Sequence, residues 1–396
     1  MSKTPSLARR TKSFQASPTA ALDAAAKRLA AEGHTVYNLA SGEPDMEPVA
    51  AIREAAAKAA MGGYSKYTQV SGTLSLRQAV SRALLRDQGL SYQPDQIVVS
   101  AGAKQALFNA FSCLLDPDDE AILPAPYWVS YPEQIKLAGG RPVIVPADAA
   151  GGYKLTPEAL SQALSPKSRL LVLNSPNNPS GAVYTDSELS ALVEVALDHG
   201  LTIVSDEVYQ QVLYPPARHV SPASLSAAAF SATVLISGVS KTYAMTGWRI
   251  GYLASPDPDL IRAAAALQSQ TSGNPTAVAQ RAAEVAWDLP PEATRHQLAA
   301  FTARRRLVLD ALAEVTGTEL VPPNGAFYGF LSIAGCLRRW REEAADAFCE
   351  RLLAEDKVAV VPGSAFGAPD AIRFSFAVAD DVLKEALVRL TQALRR

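Results

Sequence analysis

The chain has no long run of basic residues, and its 37 Lys and Arg are offset by 39 Asp and Glu, for a net charge of −2. A nucleic-acid partner is therefore not expected, because phosphate-backbone binding needs a concentrated positive face. No apolar stretch approaches the ~20 residues of a transmembrane helix, so no membrane span is expected. Cysteine is scarce: Cys113, Cys336 and Cys349 are odd in number and far apart. That pattern suits free thiols in a reducing, cytoplasmic compartment better than a disulfide framework. It also lacks metal-ligand spacing, so no metal is expected. A Gly-x-Gly-x-x-Gly turn after an early strand is missing, which argues against a nicotinamide oxidoreductase. Internal repeats and low-complexity linkers are missing too.

What is present is an ordinary globular composition, 48% hydrophobic and 19% charged over 396 residues. A chain of this length exceeds what one hydrophobic core usually serves, so two domains are expected. Residues 1–22 carry Lys3, Arg9, Arg10 and Lys12 and no acid until Asp23. This resembles a transit peptide in composition, but it has no apolar core and runs into Ser17-Pro18, a helix start. It is expected to belong to the mature protein.

The first helix is predicted at 18–32, with Ser17 as its cap, Pro18 in the first turn and Gly33 at its end. A short strand at 35–40 and helices at 48–60 and 73–87 follow. From Ile97 the pattern alternates. Buried strands are predicted near 97–100, 120–123, 142–145, 169–174, 201–205 and 233–237, with helices at 103–115, 127–138, 156–164 and 186–199. Such alternation predicts an α/β fold with a mostly parallel sheet covered on both faces, and ligands at the carboxyl ends of its strands. Pro290-Pro291 ends a helix at 275–288. Beyond it, a basic helix at 292–314, strands at 326–331, 357–361 and 371–376, and helices at 341–355 and 381–394 predict a smaller α+β domain.

Chemistry-bearing residues gather at the predicted strand ends. Lys241 lies in Ser237-Gly-Val-Ser-Lys-Thr-Tyr-Ala-Met-Thr-Gly-Trp-Arg-Ile-Gly251. A lysine framed by hydroxyls and glycines suits imine chemistry, and the small residues let a phosphate approach the backbone. In Ser100-Ala-Gly-Ala-Lys-Gln-Ala106, Gly102 precedes a helix whose first N–H groups, at Ala103 and Lys104, could cradle that phosphate. Arg249 adds a guanidinium fork. Asp206 closes a strand in Val204-Ser-Asp-Glu-Val-Tyr209, where a helix cap is its plainer role. Arg373 stands alone in the apolar Ala371-Ile-Arg-Phe-Ser-Phe376, costly to bury without an anion.

The Lys241 segment closely resembles the pyridoxal-phosphate (PLP) lysine region of class I/II aminotransferases, fold type I, and the other motifs follow in that family's order from about residue 7 to 394. The resemblance implies a large PLP-binding domain (46–289) with a mostly parallel seven-stranded sheet, a small carboxyl-terminal domain (290–396), and an amino-terminal segment (1–45) packed on the latter. It implies that Lys241 holds the cofactor and shuttles a proton, and that Ser240 and Arg249 join Gly102, Ala103 and Lys104 around its phosphate. Gly238 departs from members that carry serine there. Asp206 would face the pyridine nitrogen, Tyr209 and Asn178 (in Asn178-Pro-Ser-Gly181) the ring oxygen, and Trp128 the ring face. Tyr67 would reach the neighbouring subunit's phosphate, making a homodimer with shared catalytic sites.

Arg373 and the backbone of Gly42 would take the substrate α-carboxylate, with Trp128 and Asn178 beside them. Segments 103–109, 126–132 and 268–275 resemble a bacterial subgroup of aspartate aminotransferases, in which the lysine at the Lys104 position pairs with the distal carboxylate. The expected reaction is L-aspartate with 2-oxoglutarate, through two half-reactions on one site. Ser17, where some relatives have a cation, speaks against prephenate. Aromatic or alanine transfer, or a PLP-dependent lyase of the same fold, stays open on motifs alone. About 17 residues before the first helix leave no space for the DNA-binding domain of a PLP regulator.

Overall fold

Alternate residues of the central strands feed different cores, which is why these strands lie inside the molecule. On the strand Ser168–Asn174, Leu170 and Val172 join one buried cluster while Leu171 and Leu173 join another. Side chains two apart share a face, so both faces of the sheet are covered, as a parallel sheet requires. The computed structural model describes residues 6–12, 14 and 16–396. Lys3, and residues 1–5, 13 and 15 of the expected amino-terminal segment, lie outside them.

In chain order the first half runs α1 (Pro18–Ala31), β1 (Tyr37–Asn38), α2 (Ala50–Met61), α3 (Leu74–Gln88), β2 (Ile97–Ser100), α4 (Ala103–Leu114), β3 (Glu120–Ala125), α5 (Ser130–Leu137), β4 (Arg141–Pro146), α6 (Pro157–Ala163), β5 (Ser168–Asn174), α7 (Asp186–Asp198) and β6 (Thr202–Asp206). Then come α8 (Ala227–Ala232), β7 (Thr233–Gly238), β8 (Gly251–Ala254), α9 (Pro258–Thr271), α10 (Ala277–Asp288) and α11 (Arg295–Leu312). The last part is β9 (Glu319–Leu320), β10 (Tyr328–Ser332), α12 (Ala334–Trp340), α13 (Asp346–Arg351), β11 (Val358–Ala359), β12 (Val361–Pro362), β13 (Ala371–Ser375) and α14 (Asp380–Arg395).

Seven strands form one sheet in the order β2-β8-β7-β6-β5-β3-β4. All neighbours are parallel except β8, which runs antiparallel to both β2 and β7. No helix-length crossover separates β7 from β8. The chain turns back at the carboxyl end of β7, so β8 must run the other way. A second, antiparallel sheet orders as β12-β13-β10-β9. The amino-terminal β1 pairs in parallel with β11.

Several boundaries differ from the sequence expectation. The strand at 35–40 shrinks to Tyr37–Asn38, since its only partner is the equally short β11. Ser17 stands at the start of α1, but its hydroxyl pairs with Thr19 Oγ1 at 2.8 Å and caps no backbone N–H. The helix predicted at 341–355 does not begin there: Arg341 ends α12 in the left-handed region, φ 61°. Helix resumes at α13 and finishes in a wider turn over Leu352–Asp356. The strand at 357–361 is broken into β11 and β12. β8 was not anticipated, because four residues, Gly-Tyr-Leu-Ala, carry no alternation to read.

Candidate active site

Ser100, Asn174, Asp206 and Gly238 are the last residues of β2, β5, β6 and β7. Their loops, with α1, Tyr328 and Arg373, enclose one cavity of about 420 Å³. Of the residues expected from the sequence, it is lined by Gly42, Ala103, Lys104, Trp128, Asn178, Asp206, Tyr209, Ser240, Lys241, Arg249 and Arg373. Gly102 stands directly behind Arg249. Tyr67 is not brought there; its side chain is 98% exposed.

Lys241 sits in the loop after β7. Its amine donates to the carbonyl of Gly42 and lies 5.9 Å from the Tyr209 ring centroid. Burial pushes its pKa down to about 8; Glu43 opposes this, and the cations Arg249 and Arg373 add to it. The same loop continues through a tight turn at Thr246–Trp248 to Arg249, held in the left-handed region at φ 55°. The Arg249 guanidinium donates only to backbone carbonyls, Thr246 O at 2.9 Å and Ala101 O at 3.5 Å.

Gly102 has φ 83°, and a Cβ there would collide with Arg249 Nη2. The Gly251 Cα is likewise pressed on the backbone of Ala103. Glycine at both positions lets a guanidinium and the start of α4 converge. Gly102 also offers α4 no capping side chain, so the N–H groups of Ala103 and Lys104 are left for another acceptor.

Asp206 is 4% exposed. Its Oδ2 accepts from the Tyr131 hydroxyl at 2.7 Å and its Oδ1 from the Val208 N–H at 3.2 Å. Burial raises its pKa to about 6; the Tyr131 and Val208 hydrogen bonds and Lys241 resist, while Glu207 adds to the rise. The capping role considered for Asp206 fails, because residues 207–212 form successive turns and no α-helix. Tyr209 is therefore not placed by a helical repeat. Its hydroxyl instead pairs with that of Tyr328 at 2.7 Å. Asn174 Nδ2 donates to Asp206 O, and Asn174 Oδ1 accepts from the Asn178 N–H, so β5 fixes both.

Arg373 comes from the other sheet, opposite Phe330 and Val361. It is 3% exposed. Its Nη1 donates to Asn178 Oδ1 at 3.2 Å and its Nη2 to Ala40 O at 2.6 Å; Nε has no partner. The guanidinium lies 4.7 Å from the Tyr328 ring centroid and 5.0 Å from that of Phe366. Among the described residues no carboxylate answers this buried cation. Lys104 Nζ stands 5.0 Å over the Trp128 ring, with its pKa lowered by desolvation and by Arg249.

Sequence reasoning missed Tyr131, Tyr328 and Asn174. Tyr131 shares a segment with Trp128 and packs edge-on against it at 5.3 Å. Neither it nor Tyr328 could be told from a core aromatic by pattern.

These residues fit a phosphorylated aldehyde cofactor. An uncapped helix start and a free guanidinium converge over a glycine where a Cβ would clash. Lys241 faces the same cavity as a buried carboxylate, and Arg373 is left with an orphaned N–H.

The family model "Aminotransferase class I and II" matches residues 34–390. An aspartate aminotransferase of Geobacillus stearothermophilus is 46% identical over 390 residues, covering 97% of this chain and 98% of the relative. The crystal structure of an aspartate aminotransferase from Rhizobium meliloti superposes with a TM-score of 0.94 at 40% identity, covering 99% of this chain and all of that one. A Thermus thermophilus aspartate aminotransferase solved with maleate gives 0.92 at 38% identity, covering 98% and 100%.

Proposed function

This chain belongs to the class I and II aminotransferases, and from that premise we propose that it transfers the amino group of L-aspartate to 2-oxoglutarate, giving oxaloacetate and L-glutamate. The family's cofactor, pyridoxal 5′-phosphate, supplies an aldehyde that joins the amino acid and a ring that takes up the electrons released when the Cα–H bond breaks. The chain's own groups supply the rest. Lys241 would hold the cofactor's aldehyde carbon until substrate displaces it, and would then move the substrate's Cα proton to that carbon. An amine with a pKa of about 8 suits both directions near neutrality. Asp206, a buried carboxylate braced by Tyr131, would hold a proton on the pyridine nitrogen. Arg249, Ser240 and the α4 N-terminus at Gly102, Ala103 and Lys104 would take the phosphate. Asn178 and Tyr209 would hold the ring oxygen, and Trp128 would cover the ring.

One observation carries the proposal: Arg373 is buried in the lining of the cavity that Lys241 shares, with no carboxylate partner among the described residues. A guanidinium fork matches an α-carboxylate, and Ala40 O and Asn178 Oδ1 lie beside it. Lys104, which lines the same cavity with its amine over Trp128, would take a second, distal carboxylate. The maleate bound by the Thermus relative is such a dicarboxylate.

The proposal includes a division into residues 1–45, 46–289 and 290–396, supported by the β1–β11 pair and by Arg304 of α11, which grips Asp45 at 2.7 and 2.9 Å. It also includes a homodimer, supported by the bare Tyr67 ring, and a cytoplasmic location, supported by three free thiols. Among the described residues no helix is long and apolar enough to cross a membrane.

The test is a titration of the PLP-loaded protein with aspartate, glutamate, tyrosine, phenylalanine and alanine in turn, following the cofactor's visible absorption. Bleaching at the lowest concentrations should occur with the two dicarboxylates. Preference for tyrosine or alanine, or alanine and carbon dioxide in place of oxaloacetate, would overturn it.

A further inference from the structure

Behind Asp206 lies a second buried carboxylate that the proposed reaction does not use. Glu207 is fully buried. Successive residues at a strand end point to opposite sides. Asp206 turns to Tyr131, and Glu207 turns the other way, toward the segment before α8. There its Oε1 accepts from Ser221 Oγ at 2.6 Å and Ser205 Oγ at 2.9 Å, and its Oε2 meets His219 Nε2 at 2.9 Å. Three donors on two oxygens is the arrangement an ionised carboxylate needs in an interior. The His219 side chain is itself buried, and its Nδ1 has no partner in the chain.

The backbone of Glu207 is pinned as well. Its N–H donates to Ile236 O at 2.8 Å, and its carbonyl accepts from Ser237 Oγ at 3.4 Å. Ser237 lies four residues before Lys241 on the same strand and loop. Glu207 thus joins the end of β6, which carries Asp206, to the end of β7, which leads to Lys241.

We propose that Glu207, held by His219, is a positioning residue for the reaction: it locks Asp206 and the Lys241 loop in mutual register and places a fixed negative charge behind the cofactor site. This rests on Asp206 facing the cofactor.

The charged and titratable groups around the two carboxylates come from several elements. Tyr131 and Lys241 act on Asp206. Tyr92 and Tyr252 feel Glu207. None of these four supplies a second anion at neutral pH, so the pair's field is set by Asp206 and Glu207 together. Removing one negative charge makes nearby protons easier to lose.

The experiment uses the PLP-loaded enzyme and its Glu207→Gln variant. The readouts are the pH midpoint of the cofactor's visible absorption change, kcat and KM for aspartate, and the melting temperature of the cofactor-free protein. Glu207→Gln should lower the spectral midpoint by about half a pH unit or more and reduce kcat by about threefold or more with KM nearly unchanged. His219→Ala takes one partner from the Glu207 carboxylate, which favours its uncharged form, and should move the midpoint the same way by less. It carries the test if Glu207→Gln does not accumulate folded. His219→Gln retains an N–H donor and should restore the wild-type midpoint. Lower melting temperatures with unmoved midpoints and kcat would make the pair a mere brace and overturn the proposal. A wild-type protein with no PLP band would overturn the reading of the site and this inference with it. A wild-type band with unmoved variants sinks this inference alone.

Discussion

The Tyr131 hydroxyl donates to Asp206 Oδ2 at 2.7 Å, inside a core where both side chains are almost completely buried. A hydrogen bond to the ionised form of an acid stabilises that form. Burial raises the Asp206 pKa, and Tyr131 is the first of the influences that hold it down to about 6. Tyr131→Phe should therefore raise the Asp206 pKa by about one unit, read from a carboxyl chemical-shift titration of the cofactor-free protein. A fall, or no change, would mean the hydroxyl pairs elsewhere.

Asp206→Asn should separate activity from stability. Removing the anion at the ring should cost about 10³-fold or more in kcat. The folded chain takes up the Asp206 proton near pH 6, against 3.8 for the free group. Its buried charge is thus a penalty fully present above pH 6 and gone below about pH 4. At roughly 1.4 kcal/mol per unit the penalty is on the order of 2–3 kcal/mol. Cofactor-free Asp206→Asn should melt higher than wild type at pH 7.5, and the gap should close as pH falls toward 4. A variant that melts lower at pH 7.5 contradicts this.

Lys241 should capture the cofactor at unusually low pH. Its amine loses its proton near pH 8 rather than 10.5, and only the free amine attacks an aldehyde. The rate of covalent PLP capture by the cofactor-free protein should rise with pH and level off above about pH 8. Borohydride should fix the label to the Lys241 peptide. Lys241→Ala should bind PLP without fixing it and lose turnover.

Lys104 and Arg373 should separate by substrate. Losing one partner of a desolvated charge pair costs about 2–5 kcal/mol. Lys104→Ala should lower kcat/KM for aspartate and glutamate by about 30-fold or more, and for alanine far less. Arg373→Ala should injure all three alike, since each presents an α-carboxylate. Equal losses in the Lys104 variant would refute the dicarboxylate assignment and leave the transaminase standing.

Tyr67 should act in the neighbouring subunit. Its ring is 98% exposed and lies outside its own chain's cavity. Co-expressed Tyr67→Phe and Lys241→Ala chains should form a heterodimer with one site intact and one lacking both groups. Fully active monomers by light scattering would reject shared sites.

Much of the fold was legible because β5, β6 and β7 are continuous apolar runs between amphipathic helices, a pattern only a two-sided parallel sheet explains. Arg373 stood out as a charge in an apolar run, Asp206 as an acid at a strand end, and Lys241 as an amine framed by hydroxyls and glycines. Tyr131 and Tyr328 did not, since an aromatic in a buried segment reads the same whether its hydroxyl is used or idle. The position of Tyr209 comes from turns after β6 and from Tyr328, 119 residues away. The missed β8 has the same cause. Four residues carry no period, and its place is decided by strands 150 residues apart in sequence rather than by its own composition.

That inserted strand makes the cofactor grip a late event in the life of the chain. Arg249 meets Ala101 across a separation of 148 residues, and only because β8 slots between β2 and β7. On a ribosome, α4 is complete long before Arg249, its partner in gripping an anion, exists. Contacts that distant form slowly, so PLP retention becomes a readout of finished sheet assembly. A chain stalled before Gly251 holds the helix start and Asp206 but no closed grip on the phosphate.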